Sequence, residues 1–322
     1  MNGVAMRVVP LILTATLACS GRGDANGPEP ENNSPGSLPT AVSPFPTGLK
    51  GTLAFESDRE GRTKIYTLQL ETGKITRLTE GPLWHDSHPT WSPDGRRIAF
   101  HSTRNGNFDI YVMDADGGNI QRLTDHPANE FDPTWDKDMR SIVFTGERDG
   151  RGEIYRVWLD SKKVDRLTAG FDRAIMPAES PDGRYVAYAG QTIREFQIHV
   201  VDLTRNNEIS QVTSGEAACR PAFSPDSRAI AFVLGQDPSR LGIVDMQTRQ
   251  ARTLYKHPSL WLYYPVFSPD GERVAFAVSP QHHQGEDWDL AIVSTQSPGT
   301  TFQRLTVGPG NDRLPSWKPI PH

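Results

Sequence analysis

Apolar and polar positions in this chain change over in short runs, too brief for helices. Arg97-Ile98-Ala99-Phe100 and Asp109-Ile110-Tyr111-Val112-Met113-Asp114 are apolar stretches closed off by turn chemistry. The punctuation is Ser92-Pro93-Asp94-Gly95, Arg104-Asn105-Gly106-Asn107 and Gly117-Gly118. Proline presets its own φ, aspartate bonds back to nearby amides and glycine accepts positive φ, so each cluster reads as a turn. Runs of about 4–8 residues bounded this way are strands. With Thr90-Trp91 before them and Gln121-Arg122-Leu123-Thr124 after them, they form a unit of four antiparallel strands.

The unit recurs. Prolines stand at 89, 133, 177, 221 and 265, a spacing of 44, and Pro315 follows after 50. The text around them repeats: PTWSPDGRRIAF, PTWDKDMRSIVF, PAESPDGRYVAY, PAFSPDSRAIAF and PVFSPDGERVAF. Second strands recur at Leu53-Ala54-Phe55, Ile142-Val143-Phe144, Val186-Ala187-Tyr188, Ile230-Ala231-Phe232 and Val274-Ala275-Phe276. Fourth strands end at Leu78-Thr79, Leu167-Thr168, Val212-Thr213 and Leu305-Thr306. A fixed period of about 40–45 residues with four strands per unit predicts a β-propeller. Five units are complete. The stretch from Lys50 to Thr79 holds only strands two to four, and Leu314–Pro319 only strand one. Together they predict a sixth blade in which the N- and C-terminal strands pair and close the ring, leaving no open edge.

Everything from Gly48 to His322 belongs to that one all-β domain; the residues before it read differently. Val8–Ala18 is an uncharged, mostly apolar run behind Arg7, too short to span a bilayer and suited to a signal peptide. It ends at Cys19 and resembles bacterial lipoprotein signals, in which the cysteine is cleaved and acylated; an ordinary signal cut near Ala18 is the alternative. Thr16 and Leu17 depart from the usual residues of that motif. The resemblance implies lipidation at Cys19 and, with Ser20 following, an outer-membrane destination. Residues 20–47, rich in proline and glycine and poor in large apolar side chains, are expected to be a disordered tether. The Arg22-Gly23-Asp24 tripeptide within it reads as a chance occurrence. The other cysteine, Cys219, reads as a small apolar side chain in a loop.

The pattern P-x-W-S-P-D-G-x-x-I-A-F…D-I-Y-V-M…R-L-T, from Lys50 to the end, closely resembles the TolB-type propeller repeat. That resemblance implies six blades. Full TolB proteins carry an amino-terminal α/β domain, where this chain has a signal and a tether. Their binding of a peptidoglycan-associated lipoprotein is therefore not carried over. The expectation is a free-standing, lipid-anchored, monomeric propeller of the cell envelope or periplasm that binds a protein or peptide.

Charge and motifs narrow the chemistry. A formal net charge of −5 without basic blocks argues against nucleic-acid binding. The chain has no G-x-S-x-G elbow, P-loop, H-E-x-x-H or paired-cysteine motif, so no catalytic residue and no cofactor is assigned. Nor does it leave room for the hydrolase domain that similar propellers cap. The residues just before each repeat proline, His88, Asp132, Met176, Arg220, Tyr264 and Leu314, differ from blade to blade and should converge on the channel rim. Trp261, Tyr263, Tyr264 and Trp288, beside the enlarged Gln281–Trp288 loop with Glu286 and Asp287, are expected on that rim as a binding hot spot. The alternative function is a metal-assisted, lyase-like carbohydrate enzyme using His85, His88, His282 and His283. Each SPDG aspartate supplies too few oxygens for calcium and reads as a turn former. Glu179, standing where other blades have Trp or Phe, is expected to pair with Arg184 or Arg220.

Overall fold

The computed structural model describes residues 40–42, 44–192, 195–235, 238–281, 287–296, 302–308 and 310–320. The predicted propeller is there. Six four-stranded antiparallel sheets follow one another, and their innermost strands are Asp86–Trp91, Glu130–Trp135, Arg173–Glu179, Ala218–Phe223, Trp261–Phe267 and Asp312–Trp317. We number the blades 1 to 6 in that order. Blade 6 is the composite: Asp312–Trp317 pairs with Thr52–Ser57, which pairs in turn with Lys64–Gln69 and Lys74–Arg77. Trp317 lies opposite Leu53 and Asp312 opposite Ser57, so the two ends of the chain close the ring.

Each repeated residue has a physical task. The second-strand aromatics Phe55, Phe100, Phe144, Tyr188, Phe232 and Phe276 are completely buried and form the centre of each blade. In the SPDG turns, Ser92 donates to Asp94 at 2.6 Å and accepts from the Arg97 amide at 2.9 Å. The same pair recurs at Ser180/Asp182, Ser224/Asp226 and Ser268/Asp270, so these aspartates are turn formers. The threonine of R-L-T caps the next strand in: Thr79, Thr124, Thr168, Thr213 and Thr306 accept from the amides of Ile65, Ile110, Ile154, Ile198 and Leu290 at 2.9–3.0 Å.

Three expectations are modified. The stretch expected to be unstructured through Thr47 is ordered at its end: Thr40–Ala41 pairs with Thr306–Val307, and Phe45 packs on the core between blades 5 and 6. Glu179 is buried but pairs with neither Arg184 nor Arg220. Arg156 of blade 2 reaches it at 3.0 Å, because the end of each inner strand packs against the preceding blade, while Arg184 is taken by Asp202 at 2.9 Å. Cys219 sits in an inner strand, 1% exposed, and not in a loop. Cys19, Arg22, Gly23 and Asp24 lie outside the described residues.

Candidate binding site in the central channel

The inner strands start earlier than the sequence pattern predicts. Asp86 and Ser87 are already paired, so the variable residue before each proline stands inside a strand, at a β-bulge. In blade 1 the register jumps between Ser87 opposite His101 and Thr90 opposite Ala99, which leaves His88 and Pro89 facing one residue, Phe100. Equivalent shifts occur in all six blades. Proline offers no amide to the ladder, so the inner edge, which has no neighbour on the channel side, is where a sheet accepts it. The bulge turns the preceding residue into left-handed backbone: φ is 53° at His88, 54° at Asp132, 60° at Met176, 57° at Arg220, 59° at Tyr264 and 51° at Leu314. None is glycine, and such a conformation costs roughly 1–2 kcal/mol per residue. Strain of that size persists only where its surroundings over-determine it.

Half of the ring supplies a visible restraint. The residue following the second-strand aromatic reaches the next blade and accepts from the amide of its left-handed residue. Glu56 accepts from the His88 amide at 3.3 Å, His101 Nδ1 from the Asp132 amide at 3.3 Å, and Thr145 from the Met176 amide at 3.0 Å. At the same place blades 3, 4 and 5 have Ala189, Val233 and Ala277. The polarity of the ring is split in a second way. Arg59, Arg104 and Arg148 each pair with an acid of the inner strand, Asp312, Asp86 and Glu130, and lie over the two aromatics of their blade. In blades 3, 4 and 5 those acids are replaced by Ala174, Ala218 and Leu262.

Five of the six bulges line one cavity. It is lined by His88, Met176, Arg220, Tyr264 and Leu314 together with the prolines that follow the last four, and its volume is about 70 Å³. That is well below the roughly 300–1,000 Å³ of small-ligand pockets; it has room for a small group such as a carboxylate, and no folded domain enters it. Asp132 is buried beside it. His88 Nδ1 donates to Asp132 Oδ1 at 2.6 Å, and Arg220 Nη1 is 4.0 Å from the same oxygen. Burial works against the Asp132 charge, but His88 and then Arg220 outweigh it and hold its pKa down at about 2. Burial depresses His101 to about 3, so this imidazole is neutral. The Arg220 guanidinium lies over the Tyr264 ring, 4.4 Å from its centroid.

Of the expected site residues, His88, Asp132, Arg220 and Tyr264 come together here. The aromatic rim does not form. Tyr263 and Trp288 are 2% and 1% exposed inside the core, where their rings meet edge to face, and Trp261 stacks on Tyr263 from a half-buried position. The reason is positional. Trp288 immediately precedes a third strand, as Phe108 does in blade 1, and its carbonyl receives the Asp312 amide at 2.7 Å just as Phe108 receives Glu130 at 2.8 Å. That equivalence is present in the sequence, hidden by the longer loop of blade 5. His101 was missed because it sits mid-strand, in I-A-F-H, where alternation alone gives it no task.

The metal set is altered too. His85 is bonded to Arg62 at 2.7 Å and Thr63 at 3.2 Å, and His282, His283 and Glu286 lie outside the described residues. His88 instead groups with His101 and Asp132, whose donor atoms lie within 4.8 Å of one another. The donor types suit a transition ion. However, the lone pair of His101 Nδ1 is engaged by the Asp132 amide, and Arg220 brings positive charge to the same carboxylate. The arrangement favours a binding pocket over a metal centre.

Comparison with known proteins agrees with the repeat. The family described as TolB beta propeller domain (PD40) matches residues 83–257, more than half of the chain. The solved TolB from Acinetobacter baumannii superposes with a TM-score of 0.71 at 24% identity, over 86% of this chain and 69% of that one. An oligogalacturonate lyase in complex with manganese superposes at 0.52 with 15% identity, over 79% and 73%. At these identities the likeness is one of fold. A dipeptidyl-peptidase 5 from Porphyromonas endodontalis is 44% identical over 50 residues, which is 16% of this chain and only 6% of that protein.

Proposed function

This chain belongs to the TolB beta propeller family, and from that premise we propose that it is a non-catalytic, envelope-anchored propeller whose central channel receives a segment of a protein or peptide partner. The observation that carries the reading is the bulge geometry. Six strained, non-glycine residues of six different types sit at equivalent bulges of an otherwise repeating scaffold, five of them lining one cavity and Asp132 buried beside it. Strain concentrated on variable positions points to a ligand surface. Arg220 stacked on Tyr264 gives it the aromatic and arginine anchors that binding hot spots use.

The test is capture of partners from envelope extract by the intact chain, repeated with Leu314→Trp, which fills the channel from a half-buried position. Capture that survives the plug undamaged would place the interface elsewhere. Anchoring is tested separately. With Cys19 as the acylation site, Cys19→Ser leaves the protein exported but soluble, because stable attachment depends on the acyl chains, about 0.8 kcal/mol per buried methylene. If the serine variant still sediments wholly with membranes, the lipid anchor is refuted.

A further inference from the structure

The guanidinium of Arg220 faces the cavity with few protein partners. Its side chain is 9% exposed, yet none of its donors makes a hydrogen bond among the described residues. Its one ionic neighbour among the described residues, Asp132, is 4.0 Å away, beyond hydrogen-bond distance, and is already engaged at 2.6 Å by His88. The five N–H donors of the guanidinium, left without a protein acceptor on a cavity wall, are available to an acceptor brought by a guest. The stack on Tyr264 fixes the plane of the guanidinium, which suits a planar, two-oxygen acceptor. Met176, Leu314 and the adjoining prolines provide apolar wall for the group that carries it.

We propose that Arg220 is a carboxylate-receiving subsite, so that the segment entering the channel presents a carboxylate, from an Asp or Glu side chain or from a chain terminus, to this guanidinium. The inference rests on the channel-binding reading above and narrows it to anionic, partly apolar peptides. Arg220 lines the cavity and Arg173 acts on Asp132 beside it, while Glu56 is engaged by Ser87, the His88 amide and Arg313, and Glu147 acts on Arg173. Asp132 is the group a guest must not disturb, and its bond to His88 keeps it from capping Arg220 itself.

The experiment uses the intact chain and three bead-bound libraries of short random peptides: one with free C-termini, one amidated, and one amidated and lacking Asp and Glu. Selected peptides are resynthesised and titrated against the parent, Arg220→Gln and Leu314→Trp. Expected is enrichment of peptides with a carboxylate, whose affinity drops at least tenfold in Arg220→Gln, weakens with added salt and vanishes in Leu314→Trp. Enrichment confined to free C-termini assigns the carboxylate to a chain end, and enrichment of internal Asp or Glu in the amidated set assigns it to a side chain. If peptides sensitive to the channel plug show no carboxylate preference, or bind Arg220→Gln unchanged, the subsite is refuted and channel binding stands. If no selected peptide is sensitive to the plug, both fall.

Discussion

Single residues in this ring are tuned by where the bulges and blade seams place them. Glu179 is the sharpest case. Burial raises its pKa to about 7 against the pull of Arg156. A carboxylate raised in the fold stabilises fully below its unfolded pKa, near 4.5, and that contribution is lost as pH climbs through 7. Glu179→Gln, which mimics the protonated form, lacks this dependence. Between pH 5 and pH 8 the stability difference between parent and variant should therefore move by about 2–3 kcal/mol in the variant's favour, read from urea melts at both pH values. A difference that stays constant with pH would show that Glu179 is already ionised in the fold. The oddity of Glu179 was legible from the sequence, since the other blades have an aromatic there. Its partner was not, because Arg156 belongs to another blade and no local spacing connects the two. The same limit hid His101, which acts on the Asp132 amide of the next blade. Convergence of His88, Asp132, Arg220 and Tyr264 was legible because the 44-residue period superimposes them; their left-handed backbone was not, since a proline by itself does not announce a bulge.

At the scale of the element, strands and turns followed from the alternation and the SPDG clusters, whereas the division of the blades into two chemical kinds needed the packing. Blades 6, 1 and 2 each bury an arginine–acid pair over two rings, and blades 3, 4 and 5 put an apolar residue at the acid's place. In blade 2, Arg148 Nε meets the fully buried Glu130 at 2.5 Å. Removing one partner of a buried pair strands the other, at a cost of about 3–5 kcal/mol, whereas replacing both by apolar groups is often neutral. Arg148→Met should accordingly destabilise by that amount, and Arg148→Met with Glu130→Leu, which imitates Leu262 of blade 5, should recover most of it. Denaturant midpoints of the two variants and the parent decide this. A double variant no better than the single one would mean the acid has a further role in blade 2.

For the whole molecule the decisive contact joins the two ends of the chain, and it was legible because each end carries the strands the other lacks. Deleting residues 314–322 removes most of the strand that covers Thr52–Ser57, together with buried Trp317. Loss of one buried tryptophan costs about 3–5 kcal/mol, a large share of the roughly 5–15 kcal/mol that holds a domain. The truncated protein should melt far lower or aggregate, and an unchanged melting temperature would contradict the closure. The same joint sets a clock. Arg59 and Asp312, which meet across it, are 253 residues apart in the chain. At synthesis rates of about 5–20 residues per second, that separation is on the order of 10–50 s of waiting. Blades 1 to 5 are each made of consecutive strands and can form as they emerge, on timescales of milliseconds to seconds. The first-made strand of blade 6 can pair with Lys64–Gln69, but its inner edge must wait. Until the last strand arrives it presents a bare, apolar edge to every neighbouring chain, so the yield of this protein should depend on how crowded its nascent copies are long before its finished stability matters.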